Sequence, residues 1–335
     1  MQELCSAEAL PKFTARQMAD WLYRKRCNSI HEMTNLSLKV RTSLSQKYEV
    51  KKSAPVDSMT SADGTRKYLF RIGEERFVEA VYIPDNERAT LCISSQVGCK
   101  MGCMFCVTGK QGFHGHLSTS DILNQVFSIP ESETLTNLVY MGMGEPFDNF
   151  DNVMRSLEVL TSDWGLAMSP RRITVSTVGI LPRIRDFLEK SQCHLAVSLH
   201  NPYGDERAEL MPVQKSFAIS EIIRVLQQYD WSGQRRLSFE YTMFRGINDD
   251  IMHAQKLVNI LHALRCRVNL IRFHASPGVP LAGSDMAVMT RFRDFLTEKG
   301  IICTIRASRG EDIMAACGLL AGQKNHTNQI STENG

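Results

Sequence analysis

The chain has 335 residues, too many for one minimal core, and its 43% apolar and 22% charged residues are the balance of an ordinary globular protein. No run approaches the roughly 18 apolar residues of a membrane span, and the start, MQELCSAEALPKF, lacks the basic and apolar regions of a secretory signal. A cytoplasmic protein with no membrane partner is therefore expected, as a single copy in the simplest case. The net charge of +3 is uneven: residues 1–52 hold ten Lys/Arg against five Asp/Glu and stand at +5, the remainder at −2. A basic end suits a polyanion such as nucleic acid, and equally a solvated helical surface.

In the basic segment, FTARQMADWLYRKR sets Phe13, Met18, Trp21 and Leu22 at helical spacing, with Thr14 as the cap. SLKVRTSLSQKY reads as another helix, so residues 1–55 are predicted to form a small helical domain. Turn residues from Ser53 to Gly64 mark a boundary. RKYLFRIG and RFVEAVYIP, parted by Gly73-Glu74-Glu75, predict a hairpin within a 56–87 linker. From Arg88 on, six strand-like runs (ATLCISS, TNLVYMG, RITVSTV, HLAVSLH, RLSFEYTMF, RVNLIRF) alternate with helical segments near 118–128, 150–161, 180–190, 218–229, 251–264 and 286–299. Parallel strands need crossovers, so residues 88–322 are expected to form an α/β barrel or partial barrel, with a doubly wound sheet as the alternative. Residues 323–335 read as a disordered tail.

Ten cysteines in a reducing compartment point to metal binding or catalysis rather than to a disulfide framework. Cys99, Cys103 and Cys106 form C-x3-C-x2-C after the first barrel strand, which suits three corners of a [4Fe-4S] cubane and leaves one iron open. That vacancy is where S-adenosylmethionine (SAM) can chelate through its amino and carboxylate groups. Structural zinc takes four closed ligands, and His114 and His116 are the remaining candidates for it. In such barrels function collects at the C-terminal strand ends. Those ends carry Gly142-Met143-Gly144-Glu145-Pro146, Ser176-Thr177, Ser198-Leu199-His200 and His274, with Glu145 suited to an ammonium group. Spacing alone does not distinguish Cys92 and Cys317 from Cys193 or Cys266.

CISSQVGCKMGCMFCVTGKQGF, MGMGEP, ITVSTVG, AVSLH, VNLI and RGEDIMAACGLLAG together resemble the RlmN/Cfr family of dual-cysteine radical SAM RNA methyltransferases. The resemblance runs from about Pro11 to Gly322, and LPKFTARQMADWLY is similar to that family's helical RNA-binding domain. It implies a partial TIM-like (βα)6 radical SAM barrel with a small N-terminal helical domain. It also implies methylation of adenine C2 in 23S rRNA near the peptidyl-transferase centre and in some tRNAs beside the anticodon. By motif position, Cys317 is the methyl carrier, Cys92 the resolving thiol that closes a transient disulfide, and Glu79 the proton acceptor. Hydrogen is taken from the carried methyl by a radical made from a second SAM, and the resulting carbon radical adds to the base. SAM-binding places fall on Gly144, Glu145, Ser176, Ser198, Leu199 and His200. Where many members carry Trp-Asn-Pro, this chain has Arg272-Phe273-His274-Ala275, so His274 takes the place of the asparagine. A flavodoxin-type electron donor is the family expectation. The same chemistry at adenine C8, as in Cfr-type resistance enzymes, is one alternative; a non-catalytic RNA-binding protein with a structural metal is another.

Overall fold

The computed structural model describes residues 1–275 and 278–322; the expected disordered tail lies outside them. At the N-terminus, α1 (Gln2–Ala7), α2 (Lys12–Ala19) and α3 (Leu38–Ser45) enclose their own core of Cys5, Met18, Cys27, Ile30, Met33 and Leu44. Ser37 caps α3 by accepting from the Val40 N–H, the usual remedy for an orphan amide in a first turn. Thr14 does not cap: α2 begins earlier, behind Pro11, and Thr14 is buried inside it. The basic residues of this unit are partly spent on docking. Arg16 pairs with Asp163 at 2.6 Å, Arg24 donates to the carbonyl of Gly165, Arg26 donates to that of Ser132, and Tyr23 packs on Phe127 and Trp164.

Three antiparallel strands follow, β1 (Asp57–Thr60), β2 (Arg66–Ile72) and β3 (Arg76–Asp85). The expected hairpin is β2–β3, and it continues into the main sheet because β3 pairs with β4 (Arg88–Cys92), Val81 opposite Cys92. Parallel strands β7 (Asn137–Tyr140), β8 (Ile173–Thr177), β9 (His194–Ser198), β10 (Leu237–Met243), β11 (Arg267–Arg272) and β12 (Ile302–Ile305) extend it in sequence order. The six expected strands are all present; β12 is a seventh parallel one. Residues on β3, β4 and β7–β11 line one cavity, so the sheet curls into an open barrel rather than lying flat as a doubly wound sheet would. The short β5 (Gln96–Gly98) and β6 (Phe113–His116) form a separate ribbon around the cysteine loop.

Crossovers are made by α5 (Thr119–Phe127), α6 (Phe150–Thr161), α7 (Leu181–Lys190), α9 (Ile219–Leu226), α10 (Ile251–Leu261) and α11 (Met286–Glu298), with two extra short helices, α4 (Val107–Lys110) and α8 (Gly204–Leu210). Each crossover turns one apolar stripe to the sheet. In α9 the stripe is Ile219, Ile222, Ile223 and Leu226, each worth about 1.5–3 kcal/mol when buried. Ser118 and Asp121 close a reciprocal capping box on α5.

Candidate active site

Ten of the thirteen residues singled out in the sequence line one cavity at the C-terminal ends of the strands: Cys92, Cys99, Cys103, Cys106, Gly144, Glu145, Ser176, Ser198, His200 and Cys317. The three-cysteine loop is shaped by backbone bonds. The Cys99 N–H donates to the Gly112 carbonyl across the ribbon at 2.8 Å, and the Met104 N–H donates to the Leu210 carbonyl at 2.9 Å. No group of three His, Cys, Asp or Glu among the described residues is arranged for a single metal ion. Cys99, Cys103 and Cys106 nevertheless line one cavity, as the three corners of a cubane would require. His114 and His116 bond instead to the Gln111 carbonyl and the Gln96 side chain.

The C-terminal segment that carries Cys317 is tied directly to that loop. The Val107 N–H, one residue past Cys106, donates to the carbonyl of Gly318, one residue past Cys317, at 2.8 Å. The Thr108 hydroxyl donates to the Leu320 carbonyl at 2.7 Å. Gly318 has φ +83°, a turn that a side chain would strain. Its far side is held by Asp63, which accepts from the Gly310 N–H, and by Asp312, which accepts from Ser61.

Residues 93–258 match the Radical SAM superfamily, and residues 1–50 match the ribosomal RNA large subunit methyltransferase N-terminal domain. Proteins named probable dual-specificity RNA methyltransferase RlmN are similar over nearly their whole length. That of Bacteroides thetaiotaomicron is 57% identical, covering 99% of this chain and 96% of its own. That of Phocaeicola vulgatus is 58% identical, covering 97% and 93%. The crystal structure of a radical SAM methyltransferase from Sphaerobacter thermophilus superposes with a TM-score of 0.89 at 38% identity over 96% of each chain. The chain belongs to the RlmN family.

Within this RlmN-family cavity, Gly144 (φ +93°) and Gly142 lie where any Cβ would meet Gln96 or Ser94 at under 3 Å, so glycine is what lets this strand end pack against the Ser94–Gln96 segment while lining the cavity. Glu145 accepts from Thr177 Oγ1 at 2.6 Å, Val178 N–H at 2.9 Å and Phe147 N–H at 3.0 Å, and among the described residues it has no ion-pair partner. Burial outweighs those bonds and pushes its carboxyl up to about 7. A buried acid with neutral donors and an open side fits the SAM ammonium group. His200, in a left-handed conformation, accepts from the Thr242 N–H on Nδ1 at 2.9 Å. Burial lowers it to about 3, so it is neutral, with its proton on Nε2. Burial raises the thiols of Cys99 (to about 12), Cys103 and Cys106, so taking up iron must release their protons. The donor set fits the radical SAM cofactors: three thiols for the cluster, and Glu145 beside Gly144 and Ser176 on the cavity wall for SAM.

Three expected site residues stand elsewhere. Glu79 is buried beside the cavity, paired with Lys67 at 3.1 Å and accepting from the Ala321 N–H at 2.8 Å. His274 has both ring nitrogens engaged, Nε2 by Ser308 and Nδ1 by Glu311, each at 2.8 Å, so it clasps the C-terminal segment rather than facing a ligand. Leu199 is buried behind Ser198 with its N–H on the Glu240 carbonyl. Sequence patterning does not single out Glu240 and Arg306, a pair at 3.3 Å that lines the same cavity as Cys92 and Cys317. A lone acid inside the apolar run SFEYTMF was the signal available for Glu240. All ten cysteines are free thiols, so the implied Cys92–Cys317 disulfide is not a resting bond. Burial first, then the nearby Cys317, pushes Cys92 up to about 12.

Proposed function

We propose that this protein is a SAM-dependent RNA methyltransferase that methylates C2 of adenine in 23S rRNA and in tRNA, carrying the methyl on Cys317. When bound, the cluster held by Cys99, Cys103 and Cys106 and the SAM held around Glu145 supply the electron, the methyl group and the hydrogen acceptor. Adenine C2 is an electron-poor carbon, so direct displacement from SAM fails there and a protein nucleophile has to carry the methyl. The observation that supports this most is the bond from Val107 to Gly318, which keeps the iron-ligand loop and the carrier thiol on one side of the molecule.

Each chain residue then has a task. Cys317 is exposed, so its sulfur can both receive a methyl and present it to a base. Cys92 is buried across the same cavity and attacks the Cys317 sulfur at the end; the S–S bond forms as the bond from sulfur to the RNA-bound carbon breaks. Glu145 orients the amino group, and neutral His200 offers its Nε2 proton. Glu79 becomes the proton acceptor once the Ala321 N–H lets go of its carboxylate, which links base access to movement of the Cys317 segment. RNA is engaged by the helical unit of residues 1–50, which matches a methyltransferase N-terminal domain. A flavodoxin-type reductant, a single copy and a cytoplasmic location complete the reading; no helix among the described residues is long and apolar enough to cross a membrane.

Anaerobic incubation with methyl-labelled SAM, followed by peptide mapping, is expected to place label on Cys317. Cys317→Ala is expected to lose it, and Cys92→Ala to retain covalently attached RNA. Label absent from Cys317 refutes the carrier role. Mass spectrometry of digested rRNA against 2- and 8-methyladenosine standards decides the ring position. Zinc at one per chain with no iron would favour the non-catalytic RNA-binding reading.

A further inference from the structure

Arg207 on α8 has no exposed surface, yet among the described residues its hydrogen-bond partners include no carboxylate. Its guanidinium donates to four neutral acceptors: the carbonyls of Leu199 (3.0 Å), Val178 (2.9 Å) and Ser198 (2.9 Å), and Gln214 Oε1 (2.7 Å). Hydrogen bonds satisfy the N–H groups but do not neutralise the charge, and an unmatched buried cation is expensive. Burial lowers its pKa only to about 10, so it stays charged at physiological pH.

The neighbour that can answer that charge is the cysteine loop. One turn after Arg207, the Leu210 carbonyl accepts from the Met104 N–H, next to Cys103. Cys103, Leu210 and Met211 share one apolar cluster, and Val178 and Ser198, whose carbonyls Arg207 holds, line the same cavity as Cys103. In the family's fold an iron–sulfur cluster on three thiolates is a net anion and becomes more negative on taking an electron from its reductant. A fixed cation behind one thiolate favours the reduced form more than the oxidised one.

We infer that Arg207 is the counter-charge of the cluster site and raises the reduction potential of a cluster bound by Cys99, Cys103 and Cys106. The inference rests on the cluster reading given above. Arg207 is a positioning residue: it acts through Cys103 and through the strand-end carbonyls it gathers from β8 and β9.

The test is potentiometric titration of the full-length protein after anaerobic reconstitution, with the reduced cluster followed by EPR. Arg207→Gln is expected to shift the midpoint negative by about tenfold in the redox equilibrium, ~59 mV for one electron, at unchanged iron content. Gln214→Glu keeps the contact to Nη1 and the acceptor for the Ile219 N–H but sets an anion against the guanidinium. It is expected to shift the midpoint in the same direction, and it decides the matter if the first variant does not fold. Arg207→Lys, which keeps the charge and loses the fork, is expected to stay nearer the wild type than Arg207→Gln. Unchanged midpoints in Arg207→Gln and Gln214→Glu overturn the proposal and leave Arg207 a clamp. Equal shifts in the Lys and Gln variants also overturn it. Wild-type protein that takes up no iron is a different result, and it overturns the cluster reading itself.

Discussion

At the ends of β7 to β9 the barrel and its helix α8 bury Glu145 and Arg207, and among the described residues neither has an oppositely charged side chain as a partner. Across the barrel, on β2–β3 and β10–β12, the buried acids have cations: Glu79 has Lys67 and Glu240 has Arg306. Neutralised pairs belong to the resting architecture, because removing one partner strands the other away from water. Unneutralised charges are tolerable only where something else completes them. The difference therefore separates charges whose partner is part of the resting fold, whatever task they take up later, from charges that a bound group has to complete.

The comparison can be broken most severely at the paired side. Glu79→Gln leaves the Lys67 ammonium buried without an anion and weakens the hold on Ala321; about 3–5 kcal/mol of stability should go, measured by denaturant unfolding of the cofactor-free protein. Replacing Lys67 and Glu79 together by methionine should recover most of it. If the single variant unfolds like wild type, the pairing argument fails.

Next in size is a pH effect on the unpaired side. Glu145 titrates near 7 when folded, above the 4.5 of an unperturbed glutamate. Between those values the folded chain keeps a proton that the unfolded chain has lost, so cofactor-free stability falls as pH rises from about 4.5 to about 7, by on the order of 3 kcal/mol. Glu145→Gln should remove that slope, as seen in denaturation midpoints across the window. The same substitution should weaken SAM binding by about 10–100-fold in calorimetry, the loss of a charge-assisted bond of about 1.5–3 kcal/mol, while leaving the fold intact. Unchanged SAM affinity would show that Glu145 is not the ammonium partner. The smallest effect belongs to the docking surface: Arg16→Ala removes a solvent-exposed ion pair and should cost under about 1 kcal/mol.

Much of the barrel was legible because six parallel strands alternate with amphipathic helices, and that alternation is a property of local sequence. β12 was not, since ICTI is only four residues long and follows within a few residues of the end of α11, too short a run to separate from its helix. α8 was missed for a related reason: GDERAEL reads as a solvated turn, and nothing in a charged stretch tells which arginine will be enclosed. The C-x3-C-x2-C run marked Cys99, Cys103 and Cys106 as a set by spacing, and the family motifs gave that set its cluster reading. Cys92 and Cys317 are far apart in sequence and became distinguishable only through family motifs. His274 shows the opposite failure. A histidine at a strand end invites a ligand role, but Ser308 and Glu311, more than thirty residues on, occupy both of its nitrogens. Such long-range partners leave no local trace.

The peptide contact between Val107 and Gly318 sets where the mobile chemistry is measured from. On the proposed reading, the sulfur that has to reach a nucleobase is surveyed from the cysteine bend itself, because the residues just past Cys106 and just past Cys317 share one hydrogen bond.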